Sequence, residues 1–257
     1  MSTSIDDSVA ARGHPRWVRL THWLIAAAVL TLAFSGYAIL MVHPRLYWGD
    51  AGNSLTPALI ELPISRNHRN GNWSEPVPFF TTAAASPVTS NRDFPDMFNQ
   101  NAWARSLHFL AAWCAVLGGL VYVIVGLLSG HARRDLWPRA REVAPQRLWR
   151  DVRDHLRLKR IRSAGGGPPY GPLQKLAYSF VVFVALPTMV LTGLAMSPAV
   201  TAAIPPLASL FGGSQSSRTV HFFVFAAVVT FVIVHVVMVL LSGFGRQMRG
   251  MTIGSRR

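Results

Sequence analysis

The chain has 257 residues, 51% of them hydrophobic and only 14% charged, which is too apolar for an ordinary soluble domain of this length. A net charge of +14 invites a nucleic-acid reading, so the placement of the basic residues has to decide it. The single cysteine, Cys114, excludes an intrachain disulfide, an iron–sulfur cluster on four local thiolates and C-x-x-C-H attachment of a covalent cofactor.

Residues 1–16 are polar, and Arg12, Arg16 and Arg19 lead into the first long apolar run, 18–42. That run is longer than the apolar part of a secretory signal and has no small-residue cleavage site after it, so it reads as a mature helix. Three more runs follow, 104–128, 173–196 and 220–241. Each is long enough to cross a hydrocarbon core of ~30 Å as a helix of about 20 residues. They are too long and too rarely interrupted for barrel strands. The fold expected is an all-α integral membrane protein, a four-helix transmembrane bundle forming one domain over 1–257.

Between the first two spans lies 43–103, rich in Pro, Asn, Ser and Trp, with a short apolar piece at 55–64 that reads as an interfacial helix. A segment of this length either caps the outer surface and meets a partner or is a disordered linker. Cys114, inside the second span, reads as packing. The connection 131–172 contains an Arg-rich helical stretch, 146–162, ended by Ala-Gly-Gly-Gly-Pro-Pro and suited to the headgroup surface. The third span opens with Lys175 and Tyr178, candidates to line a quinone pocket, and carries Pro187, which predicts a kink.

Four spans put both termini and 131–172 on one side of the membrane. That side holds nineteen Lys and Arg residues against six on the other, so the termini are expected in the cytoplasm and the chain in a bacterial inner membrane. The basic charge then reads as topology, with attraction to anionic lipid headgroups, and no nucleic-acid partner is expected.

Of nine histidines, four fall within the apolar runs: His22, His108, His221 and His235. Fourteen residues bring His235 back to within about 40° of His221 on a helix, ~21 Å further along. With topology assigned, His22 and His235 lie near the inner face and His108 and His221 near the outer face. Two imidazoles at one depth on antiparallel helices can clamp a flat macrocycle, and haem iron takes axial histidine. The pattern therefore points to two bis-histidine haems b, His22 with His235 and His108 with His221.

Other readings exist. A single histidine near a helix end is often interfacial, and Trp23 beside His22 suits an aromatic belt. Zinc would want tetrahedral ligands gathered in one place. The joint pattern of four histidines at matched depths favours haem. Gly119 and Gly126 share the face of His108 to within about 20°, and Gly36 lies 14 residues after His22. These glycines leave room for a porphyrin edge, or serve plain helix packing. Arg16 and Arg19 at the inner level, and Arg105 and Arg218 at the outer, are candidates to pair with propionates, or snorkel to headgroups.

In these residues the chain resembles the bacterial di-haem cytochrome b family, which includes cytochrome b561 and the membrane subunits of formate dehydrogenase, nickel-iron hydrogenase and thiosulfate reductase. Arg19-Leu-Thr-His-Trp23 is similar to its first-helix motif, Leu107-His108 to its second-helix ligand, and His221 with His235 to its fourth-helix pair. The third span has no histidine, as the family pattern implies. More narrowly, His43-Pro-Arg-Leu-Tyr-Trp-Gly49 and Pro172-Leu-Gln-Lys-Leu-Ala-Tyr178 resemble members that accompany an extracytoplasmic molybdopterin oxidoreductase. The resemblance implies electron transfer between the quinone pool and a redox partner docking on 43–103. A stand-alone quinone-linked oxidoreductase acting on a small molecule such as superoxide, and a haem-free transporter or scaffold, are the alternatives. No nucleophile–base pair or carboxylate dyad is visible, so no catalytic side chain is expected.

Overall fold

The computed structural model describes residues 14–53, 56–62, 64, 101–130, 144–156 and 171–254. Among the described residues, four helices are long and apolar enough to cross a membrane: α1 (Arg16–Val42), α2 (Asn101–Leu128), α4 (Pro172–Ala195) and α7 (Ser214–Leu241). The last is dominated by Val, Ile and Phe, residues that favour strands in water. In a bilayer the backbone must satisfy its own hydrogen bonds, and a single segment can do that only as a helix. The remaining elements are short: a pair of two-residue strands, β1 (Arg45–Leu46) and β2 (Ile60–Glu61), and helices α3 (Pro145–Leu156), α5 (Pro198–Ala203), α6 (Pro206–Leu210) and α8 (Phe244–Thr252).

The chain divides into two compact units, each taking portions of the same long helices. The first comprises Met1–Ile25, Leu117–Leu186 and Val228–Arg257. Here Asp151 on α3 is buried and its Oδ2 accepts a hydrogen bond from the Leu173 N–H at 3.0 Å, satisfying one of the orphan amides at the start of α4. Gly118 lets α2 close on α1: a Cβ there would stand 3.1 Å from Leu24 and 3.3 Å from Ile25. The kink expected from Pro187 takes the form of a π turn over Val181–Ala185, where the Leu186 N–H reaches back to Val181 O. Proline has no N–H to offer the preceding turn, and a wider turn ahead of it absorbs the mismatch.

After α7 the chain reverses at Gly243, whose φ of 103° an L side chain rarely adopts. The helix that follows, α8, had no counterpart in the sequence reading, because it is short and half polar. It is fastened to α1 by Trp23 Nε1 donating to Met251 O at 2.9 Å and Arg19 Nη1 donating to Thr252 O at 2.7 Å.

The second unit comprises Ala26–Val116 and Pro187–Ala227. Its distinctive part is the segment that leaves α1. Leu46 is fully buried, and Tyr47 and Arg45 nearly so. Arg45 forms an ion pair with Glu61 at 2.7 Å and also donates to Thr56 O at 3.1 Å. Arg45 stands opposite Glu61 and Leu46 opposite Ile60 in the antiparallel pair. The interfacial helix expected over 55–64 is therefore corrected: its described residues include strand β2 and no helical turn. The register of the ion pair needs extended chain, and a piece this short has no helix nucleus of its own.

Span four also begins earlier than expected, at Ser214 rather than near residue 220. Its first turn is polar, which reads as loop in isolation. The helix extends because its orphan amides find partners: Ser214 N–H donates to Asp50 Oδ1, and Gln215 and Ser216 N–H both donate to Gly49 O. The expectations for residues 1–13, 65–100 and 157–170, including most of the docking segment and the Gly-Gly-Gly-Pro-Pro break, lie outside the described residues.

Candidate functional site

In the second unit the rings of His108 on α2 and His221 on α7 have centroids 6.4 Å apart at 55° between planes. Each is held from behind by a hydroxyl. Ser35 Oγ on α1 lies 3.0 Å from His108 Nδ1, and Thr192 Oγ1 on α4 lies 2.8 Å from His221 Nδ1. A hydroxyl has one proton. Ser35 gives its proton to Thr31 O at 2.7 Å, and Thr192 gives its own to Thr188 O at 2.7 Å, both one turn back on their own helices. What each offers the imidazole is a lone pair. Donor counting therefore puts the ring proton on Nδ1 and leaves the Nε2 lone pair to face away from the hydroxyl.

A glycine follows each hydroxyl residue. A Cβ at Gly36 would meet His108 Cε1 at 3.3 Å, and one at Gly193 would meet His221 Cε1 at 3.7 Å. Gly36 thus makes room for the imidazole of a neighbouring helix. Ser35-Gly36 and Thr192-Gly193 are the same device used twice. Ser35, Thr192 and Gly193 were missed from sequence; the repeated hydroxyl-glycine dipeptide within two spans was the available signal.

In the first unit His22 on α1 and His235 on α7 repeat the geometry, with centroids 6.3 Å apart and planes at 54°. The surroundings are aromatic. Phe231, one turn before His235, stacks on it at 5.9 Å; Tyr178 meets its edge at 6.2 Å; Trp23 stands edge-on to His22 at 5.2 Å. Gln174 Nε2 donates to the Tyr178 hydroxyl at 2.7 Å. His22 Nδ1 is buried without a hydrogen-bond partner.

These distances test what the pairs can hold. Two imidazoles bound on opposite sides of one metal, each at about 2 Å with the ring centre about 1 Å beyond the nitrogen, have centroids roughly 6 Å apart. Both pairs have that spacing. Tetrahedral zinc needs more donors, and among the described residues no group of three or more His, Cys, Asp or Glu side chains comes together. A Cβ at Gly119 would meet nothing within 4 Å, and one at Gly126 only Trp17, at 3.8 Å.

The remaining sequence candidates fall in different places. Arg218 is drawn to the protein and donates to His43 O, and Arg19 donates to Thr252 O. Arg16 and Arg105 are exposed. Lys175 is half-buried on the first turn of α4, one turn from Tyr178.

His43 closes the segment after α1 onto α7, its carbonyl accepting from Arg218. Its ring stacks on Tyr47, and its Nε2 lies 2.9 Å from the Tyr47 hydroxyl, which gives its own proton to Asn53 O. The histidine is therefore the donor, through Nε2. Burial, with the Arg218 and Arg45 cations facing it, lowers its pKa from 6.5 to about 4. A base depressed in the folded state contributes stability that is complete above pH 6.5 and is lost as pH falls through about 4. Amide protection in 43–53 and 56–62, taken relative to the intrinsic exchange rate at each pH, should thus fall steadily as pH drops between these values, and His43→Gln should flatten the profile. An unchanged wild-type profile across the window would contradict this account.

The family model for prokaryotic cytochrome b561 matches residues 13–254. The chain is also 29% identical over 231 residues, covering 89% of its own length and 90% of the relative's, to a protein of Azospira oryzae whose name, YedZ1, is that of a protein-methionine-sulfoxide reductase subunit. No solved structure matches. With nearly its whole length matched, the chain belongs to the prokaryotic cytochrome b561 family, whose members are haem b-binding membrane electron-transfer proteins.

Proposed function

We propose that this cytochrome b561 family member holds two haems b, one between His22 and His235 and one between His108 and His221, and passes electrons between membrane quinone and an extracytoplasmic oxidoreductase. The observation that carries the reading is the pair of ring separations, 6.3 and 6.4 Å, at two places on three of the four apolar helices. Bound haem supplies one-electron chemistry at iron; the protein supplies the axial nitrogens, burial and charge.

Each residue has a definite task in this reading. His108 and His221 present Nε2, because their Nδ1 protons are engaged by Ser35 and Thr192. Phe231, Trp23 and Tyr178 exclude water around the inner pair. Tyr178 with Gln174, one turn into α4, is the polar group nearest His235 that suits a quinone carbonyl, with Lys175 beside it. Arg16, Arg19, Arg105 and Arg218 supply the positive charge that favours propionates at either end. The excess of Lys and Arg on the side of the termini supports a topology with them, and the inner pair, at the cytoplasmic face.

For the partner, the support is the relative's name, which is that of a reductase subunit, together with the hydrogen-bonded residues 43–53 and 56–62. A docked platform beside the outer pair suits a protein partner more than a freely diffusing small molecule. The test is haem content and quinol reduction on the purified full-length protein. The pyridine haemochrome should give about two haems b per chain, and a quinol should reduce both. A protein with no haem b, or one that quinol leaves oxidised, would end the reading.

A further inference from the structure

We infer that Ser35 and Thr192 are positioning residues that set the outer haem's potential apart from the inner one's, each by accepting the Nδ1 proton of one outer histidine. The inference rests on the bis-histidine reading above and adds to it a specific tuning device in this chain.

The contacts are paired and independent. Ser35 on α1 serves His108 on α2; Thr192 on α4 serves His221 on α7. Both hydroxyls are fully buried, so water does not compete for the bond. In each case the hydroxyl proton is committed to the carbonyl four residues back, which turns an oxygen lone pair toward the imidazole. The glycine following each hydroxyl residue lets the ring approach this closely.

An acceptor at Nδ1–H raises the basicity of the opposite nitrogen and fixes the ring's orientation. A more basic ligand favours the more positive, oxidised iron, so each hydroxyl lowers the potential of the iron it serves. Both ligands of the outer pair are treated alike, and their effects act in one direction. At the inner pair His22 differs: among the described residues its buried Nδ1 has no acceptor.

The experiment is a redox titration of the full-length protein, with haem content and the low-spin EPR signals recorded on the same samples. The outer couple is identified as the one altered in His221→Ala. Thr192→Val, which keeps the shape and removes the oxygen, should raise the outer midpoint and leave the inner one in place. A tenfold change in the reduced-to-oxidised ratio at fixed poise, about 59 mV for one electron, is the size expected. Thr192→Ser should restore the wild-type value. Ser35→Ala is the second, independent variant and should move the same couple in the same direction. Two haems with unmoved potentials in both variants, a shift confined to the inner couple, or Thr192→Ser behaving as Thr192→Val would each overturn the inference alone. A wild-type protein with fewer than two haems overturns the bis-histidine reading, and the inference with it.

Discussion

His22→Ala and His235→Ala are expected to abolish the same low-spin haem, and His108→Ala and His221→Ala the other. Each single variant should fall from about two bis-histidine haems per chain to about one. The rings pair at 6.3 and 6.4 Å, each pair within its own compact unit, so a ligand lost from one pair leaves the second pair's contacts in place. Within a pair the losses should not add, since one ligand removed already breaks the clamp. The double variant His22→Ala with His235→Ala should therefore keep the outer haem, while His22→Ala with His108→Ala should keep neither in its native state. Haem content and EPR read this directly. If His22→Ala and His108→Ala affected one and the same signal, the pairing would be wrong.

The second large effect is expected at a glycine far from any ligand. Gly213 precedes α7 with φ 114°, and a Cβ there would stand 2.5 Å from the carbonyl carbon and oxygen of Gly49 and 2.6 Å from Asp50 Oδ1. Those atoms belong to the loop whose oxygens receive the first amides of α7. Gly213→Ala therefore combines left-handed strain, roughly 1–2 kcal/mol, with a backbone clash that must displace the cap. Gly49 is the natural control. Its φ is 102°, but a Cβ there meets nothing within 4 Å, so Gly49→Ala should show the strain without the clash. Thermal unfolding in detergent should rank Gly213→Ala clearly below Gly49→Ala, with faster amide exchange in 43–62. Equal losses would mean that the loop yields freely and that the cap matters little.

Much of this molecule was legible in the residues because lipid leaves the backbone few options. A run of about 20 apolar residues in a bilayer must be helical, so α1, α2, α4 and α7 could be placed from composition. The imidazoles were equally visible, because an ionisable group inside such a run asks for a partner. Depth along antiparallel spans then suggested which histidines share a level, and those are the ones whose rings approach.

Other features were hidden because they depend on contacts distant in sequence. The polar residues 214–219 read as loop until Gly49 and Asp50 are seen to receive their amides. The apolar piece 55–64 read as a helix until Arg45 is seen opposite Glu61. Gly36 was marked as space for a macrocycle, yet the nearest atoms to its missing side chain are those of His108, 72 residues further on. Ser35 and Thr192 drew no notice, since a lone hydroxyl in an apolar helix usually bonds its own backbone. Theirs do so, and only the packing of a second helix shows that the remaining lone pair is used. The amino-acid sequence by itself thus determined the spans and the four imidazoles. The tertiary structure alone decided which nitrogen of each outer imidazole is held, and by what, because hydrogen-bond direction is a property of two groups brought together.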